Sequence, residues 1–298
     1  MNRRTMVALA FALTAAFTLS VSAQEKKKPP VKKAPPKKTT APLLPDKNLE
    51  AFVRSNIFAK KNNTQPLTEA DLLNVYVLKE GDGKGIKSLA GLEKCTNLML
   101  IRLTKNEISD LAPLAKLTRL QSLDLTGNKI VDLTPLAKLT KLQYLKLTDN
   151  KIANVDSLAG LSKLSSLDLS NNKLKDISPL GKLTKLSSLY LAGNQITNIG
   201  PLASVNRLMS LDLSRNNISD LAALGKQTET RILMLEHNKI TQLGHLVALA
   251  KKDANGDQRL APFLRLYLEG NPLTEEAKGE QIKALKSYGV RVNLKRSK

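Results

Sequence analysis

A chain of 298 residues with 42% hydrophobic side chains can bury a core, which excludes a wholly disordered protein. Five Phe, five Tyr and no Trp leave Leu to fill that core. One cysteine, Cys95, and two histidines, His237 and His245, exclude a disulfide scaffold and supply little for a zinc or histidine-based centre. The net charge of +21 points to anionic partners, and +13 of it falls on residues 46–298, because Arg3, Arg4 and a lysine-rich stretch carry the rest.

Residues 1–23 have the layout of a secretory signal: Arg3 and Arg4, a nearly unbroken apolar stretch from Met6 to Val21, then small residues Ser22 and Ala23 before Gln24. The stretch is shorter than the roughly 20 residues that span a bilayer, so export to the periplasm, envelope or exterior is expected over an uncleaved anchor. No cysteine follows it to carry a lipid, and no later segment reads as a transmembrane helix. Residues 24–45, QEKKKPPVKKAPPKKTTAPLLP, pair proline with mutually repelling lysines, the composition of an extended, disordered linker. That linker reads either as a solvated spacer or as a contact to an anionic surface.

Asp46 to Ala59 and Thr68 to Val75 read as short helices, with Thr68 and Asp71 spaced as a capping box. Ile86, Leu89 and Leu92 open a pattern that then repeats without slippage. Asn106, Asn128, Asn150, Asn172, Asn194, Asn216 and Asn238 stand 22 residues apart, and Asn271 follows after 33, so one turn of the pattern carries an insertion. Leu or Ile stands three and five residues before each Asn, as in LQSLDLTGN (120–128) and LSSLDLSNN (164–172). This is the LxxLxLxxN frame: LxL forms a short strand with both Leu inward, and the Asn amide satisfies backbone groups where the chain turns. The return segments carry apolar residues every third position with Pro or Gly, which suits 3₁₀-like turns. After Asn271, EEAKGEQIKALKSYG reads as an amphipathic closing helix and VRVNL as a last strand.

The frame and length resemble the short 22-residue repeats of bacterial internalin-like proteins across residues 46–298. The resemblance implies an α/β repeat fold: a leucine-rich-repeat solenoid with a concave parallel sheet, a helical N-terminal cap (46–84), repeats (85–273) and a helix-strand C-terminal cap (274–298). It also implies a monomeric, non-catalytic binding protein without a cofactor. No wall-sorting or membrane-anchoring segment is recognisable at the C-terminus.

Alternation along each strand puts the residues two, four and six before the Asn on the open face. The candidates there are Arg102, Asp124, Tyr144, Lys146, Asp168, Tyr190, Asp212, Ile232, Met234 and Tyr267, with the most apolar patch toward the C-terminal end. A protein or envelope polymer is the expected partner. A second column, Arg119, Lys141, Lys163, Lys185 and Arg207, forms a basic stripe that reads as a solvated face or as a polyanion site. Asp110, Asp132, Asp176 and Asp220 recur on the return segments, where they are expected to offset part of its field. No nucleic-acid motif accompanies the stripe. Asp253, Asn255 and Asp257 imitate the start of a calcium loop, yet Gln258 and Leu264 stand where Gly and Glu belong, so residues 250–262 are expected as a protruding polar loop. Asp124, Asp168 and Asp212 recur two coils apart, the one arrangement that suggests glycoside chemistry, though an open sheet offers no cleft to raise a carboxyl pKa. Cys95 falls on an apolar phase and is expected to be buried and inert.

Overall fold

Each repeat adds one three-residue rung, centred on the first Leu of its LxL triplet, to a single parallel sheet. The computed structural model describes residues 41–295; the expected leader and the linker up to residue 40 lie outside the described residues. Ten strands follow one another in sequence order: β1 Val77–Leu78, β2 Leu100–Arg102, β3 Ser122–Asp124, β4 Tyr144–Lys146, β5 Ser166–Asp168, β6 Ser188–Tyr190, β7 Ser210–Asp212, β8 Ile232–Met234, β9 Arg265–Tyr267 and β10 Arg291–Asn293. From β2 to β8 every partner lies 22 residues away, as in Leu123 with Leu145 and Leu145 with Leu167. Ile108, Leu111, Leu114, Leu117, Leu120, Leu123 and Leu125 fill one complete coil of the core, and the next coils repeat the set.

The asparagines act between coils as well as within them. Asn172 donates through Nδ2 to Leu169 O and to Leu147 O of the preceding coil, both at 3.0 Å. Its Oδ1 accepts from Ile152 N, also of the preceding coil, at 3.0 Å. Asn128, Asn150, Asn194, Asn216 and Asn238 repeat this geometry. Asn106 opens the ladder on Gly81 O and Ile86 N, and Asn271 closes it on Leu235 O and Ile240 N. The residue before each Asn is left-handed: Lys105, Asp149, Asn171, Arg215 and His237 at φ 54–55°, Gly127, Gly193 and Gly270 at φ 67–71°. A side chain in that region costs about 1 kcal/mol, which Gly127 and Gly193 avoid.

The return segments are the expected 3₁₀ turns, including Ala112–Leu114, Thr134–Leu136 and Ser178–Lys182, with Pro near the start of four of them. Asp110, Asp132, Asp176 and Asp220 each accept the backbone N–H two residues on, at 2.8 to 2.9 Å. Asn154 and Asn198 do the same in the coils that lack the Asp. This column therefore shapes the turns.

The insertion corrects the expectation of a protruding loop in part: residues 255–259 form an exposed turn, but the residues before them are helical. Gly244–Ala254 form helix α3 in place of a 3₁₀ turn, burying Leu246, Leu249 and Ala250. Asp253, the first position of the imitation calcium loop, is buried and accepts from the backbone N–H of Arg259, Leu260 and Ala261 at 2.9 to 3.0 Å. A second departure lies in the preceding coil, where Gln227 and Thr230 occupy Leu positions of the core. Gln227 Nε2 donates to Leu202 O and Val205 O, and Thr230 Oγ1 to Leu208 O.

Both ends are capped as the sequence predicts. In α1 (Lys47–Ser55), the cap residue Asp46 accepts from Asn48 N and Leu49 N with one oxygen and from Lys87 N and Ser88 N with the other, fastening the cap to the first coil. Burial pushes its carboxyl up, but these four donors outweigh it and hold the pKa below the ordinary value. In α2 (Glu69–Leu73), Thr68 and Asp71 form the expected reciprocal capping box. The packed chain starts slightly upstream of the expected boundary, since Leu44 is 1% exposed. At the other end a π turn, Ala277–Gln281, leads into α4 (Ile282–Ser287) and then β10.

Replacing Asn172 by Leu takes from Ile152 N its acceptor, while Leu147 O and Leu169 O each keep a second amide donor. The expected loss is about 3 kcal/mol, one orphaned buried donor plus the missing bonds, measured by denaturant unfolding. Cys95 is fully buried, and desolvation pushes its thiol up to about 12. It should resist an aromatic disulfide reagent in native protein at mildly alkaline pH and react fully once unfolded.

Candidate functional site

The register of the sheet turns the open face into three straight columns. The middle column runs Arg102, Asp124, Lys146, Asp168, Tyr190, Asp212, Met234, Tyr267, one residue per strand. The column beside it runs Val77, Leu100, Ser122, Tyr144, Ser166, Ser188, Ser210, Ile232, Arg265. All ten candidate residues therefore share one face. The third column, two residues before each Asn, is less open than alternation predicts: Thr104, Ala192 and Glu236 are buried there as the chain tightens into the Asn turn.

The three Asp of the middle column share a local role. Asp124, Asp168 and Asp212 each accept the N–H two residues on, from Thr126, Ser170 and Ser214, at 2.9 to 3.1 Å. Arg102 pairs with Asp82 at 2.7 Å, a residue outside the predicted face. Lys146, flanked by Asp124 and Asp168 in register, makes no ion pair among the described residues. The face thus offers alternating charges at about 4.8 Å steps.

The two ends of the face differ in exposure. Ile232, Met234, Tyr267 and Tyr190 are only half-exposed. Tyr144 is 53% exposed and lines a concavity of about 480 Å³ toward the N-terminal end. Its walls are Leu100, Arg102, Ser122, Asp124, Tyr144 and Lys146, completed by Lys79 and Glu80. The last two follow β1, a strand whose coil lacks the ladder Asn; its register with β2 is the only signal that places them.

Toward the C-terminal end Asp212 lies beside a second carboxylate, Glu236. Glu236 is 4% exposed; its Oε2 accepts from Ser214 Oγ at 2.6 Å, and its Oε1 has no partner among the described residues. Burial pushes the Asp212 carboxyl above its ordinary value, and Glu236 adds to this, against the hydrogen bonds from Ser214. His237 and His245 are exposed at different phases of one coil, and no group of three metal-ligating side chains occurs among the described residues. No described helix is long and apolar enough to cross a membrane. The stripe residues Arg119, Lys141, Lys163, Lys185 and Arg207 all lie exposed off this face, on the segments between the 3₁₀ turns and the strands.

A family model described as leucine-rich repeats (two copies) matches in overlapping windows, 100–138, 118–160, 140–182, 162–204 and 184–226. Among solved structures, an internalin C2 from Listeria monocytogenes is 28% identical, covers 85% of this chain and 95% of its own, and superposes with a TM-score of 0.63. An internalin of the same organism, internalin F, is 26% identical over 86% of this chain and 92% of its own, with a TM-score of 0.45. A leucine-rich-repeat protein of Leptospira interrogans is 23% identical over 68% of this chain and 56% of its own, at a TM-score of 0.53, and shares the fold. No curated protein matches the chain. The chain thus carries leucine-rich repeats folded as a solenoid, and it is similar to the internalins.

The Asp212 carboxyl predicts a pH-dependent stability. A carboxyl whose folded pKa is raised binds its proton more tightly folded than unfolded, so its stabilising effect is full below the unfolded value near 3.8 and is lost as pH rises through the folded value. Asp212→Asn, which keeps an acceptor for Ser214 N, should therefore raise the unfolding temperature at neutral pH. The gain should vanish below about pH 3.8 in calorimetric melts.

Proposed function

We propose that the chain is an exported, non-catalytic binding protein that holds a protein ligand on its concave face. The observation that carries this reading is the N-terminal concavity: Tyr144, over half exposed, lines it together with Leu100, Arg102, Asp124 and Lys146. An exposed aromatic over an apolar floor with charges at the rim is the composition of a protein-binding hot spot. The scaffold supports it, since a register-locked sheet presents these side chains without an ordering cost at the moment of binding. The non-catalytic reading is supported by the use of Asp124, Asp168 and Asp212 as braces for their own strand ends. Export rests on the leader-like residues 1–23.

The test is capture from an envelope extract by the mature chain, beside Tyr144→Ala with Lys146→Ala. The wild type should retain a protein partner through high-salt washing, and the double variant should bind it at least about tenfold more weakly by surface plasmon resonance. A partner held equally by both would place the binding surface elsewhere.

A further inference from the structure

The coils carry a second repeated pattern on the edge that leads from each 3₁₀ turn into its strand. The segments read Lys-Leu-Thr-Arg at 116–119, Lys-Leu-Thr-Lys at 138–141, Gly-Leu-Ser-Lys at 160–163, Lys-Leu-Thr-Lys at 182–185 and Ser-Val-Asn-Arg at 204–207. In each the second residue is buried, and its neighbours are held at the surface by that anchor. Since β2 to β8 keep an unbroken 22-residue register, equivalent residues align on successive coils. The edge therefore bears an inner column of five cations from Arg119 to Arg207, an outer column of Lys116, Lys138 and Lys182, and between them the hydroxyls of Thr118, Thr140, Ser162 and Thr184.

Two facts distinguish this edge from an ordinary solvated surface. No acidic residue occurs in any of the five segments, and the acids expected to offset the charge, Asp110, Asp132, Asp176 and Asp220, stand before the 3₁₀ turns whereas the basic segments follow them. Among the described residues, no ion pair reaches any of the eight cations. Arg119 alone has a side-chain partner, Asn97 Oδ1 at 2.7 Å, and the four hydroxyls have none. Every coil from 116 to 185 thus offers at least one unpaired lysine ammonium beside a hydroxyl without a side-chain partner among the described residues.

We propose that this edge binds a linear, flexible phosphodiester polymer that lies along the solenoid and meets one phosphate per coil. Cations repeating at about 4.8 Å match a chain with an anion on each short unit, whereas a polymer charged only on alternate sugars leaves alternate coils unmatched. Lysine supplies a point charge for a singly charged phosphate, and the neighbouring hydroxyl donates to the same group. The segments contain no aromatic side chain on which a base would stack, which disfavours single-stranded nucleic acid. The site is separate from the concave face and its binding is independent of the protein ligand proposed there.

The test uses the full mature chain, so that the lysines before residue 46 remain constant, and labelled poly(glycerol phosphate) followed by fluorescence anisotropy from about 50 mM salt upward. Binding should weaken with salt at a log–log slope of about −3.5 for five contacted phosphates. The variant Lys141→Gln with Lys163→Gln and Lys185→Gln should bind at least about tenfold more weakly with a slope smaller by about 2, while its thermal unfolding and its capture of the protein partner stay unchanged. Tyr144→Ala should bind the polymer as the wild type does. Equal binding by the triple variant and the wild type, or none by either, overturns the proposal. Tighter binding of oligothymidylate would assign the edge to nucleic acid instead, and tighter binding of phosphatidylglycerol vesicles to a membrane surface; either result also overturns it.

Discussion

A buried carboxamide that serves two coils at once is the interaction on which this molecule depends. A solenoid must turn its chain sharply every few residues, and each turn strands backbone groups away from water. A helix would satisfy them along its own axis, and a hairpin across one strand pair. Here the Asn side chain does so, taking one N–H and one carbonyl from the coil before it and one carbonyl from its own. Leucine fills the interior without direction; the amides convert that filling into a fixed 22-residue register. Straight columns of surface side chains follow from that register and from nothing else.

The repeat frame was legible because its signal is doubly redundant, in Asn spacing and in Leu phase. The caps were legible for a different reason: Thr68 with Asp71, and the amphipathic stretch after Asn271, carry local chemistry that needs no tertiary context. The partners of each Asn were only half legible. Sequence spacing places the amide at a buried turn, but that it reaches back 20 and 25 residues is a property of stacked coils.

Other features were hidden for identifiable physical reasons. The insertion was read as a loop because Asn255, Gly256 and Asp257 dominate its polarity, yet Leu246 and Leu249 upstream had room for a helix once the coil lengthened. The open N-terminal end of the face escaped notice because β1 belongs to a coil without the Asn, so the frame that indexed every other strand missed Val77, Lys79 and Glu80. The aspartates before the 3₁₀ turns were read as loose surface charge. Their bond to the N–H two residues on was available from turn chemistry, and it gives them a role in shaping the turn besides their charge.

The amide ladder also has a direction. Each Asn Oδ1 accepts an N–H from the coil before it, so the amide bonds that cross between coils always run from a coil's backbone to the Asn of its successor. A chain emerging from its amino end would carry, at every moment, one unfinished rung at its growing tip. The last rung has no successor asparagine, and β10 stands there as a terminator, offering Asn293 O to Leu268 N. The amide ladder is thus polar from end to end, like a zipper whose final tooth is a different part.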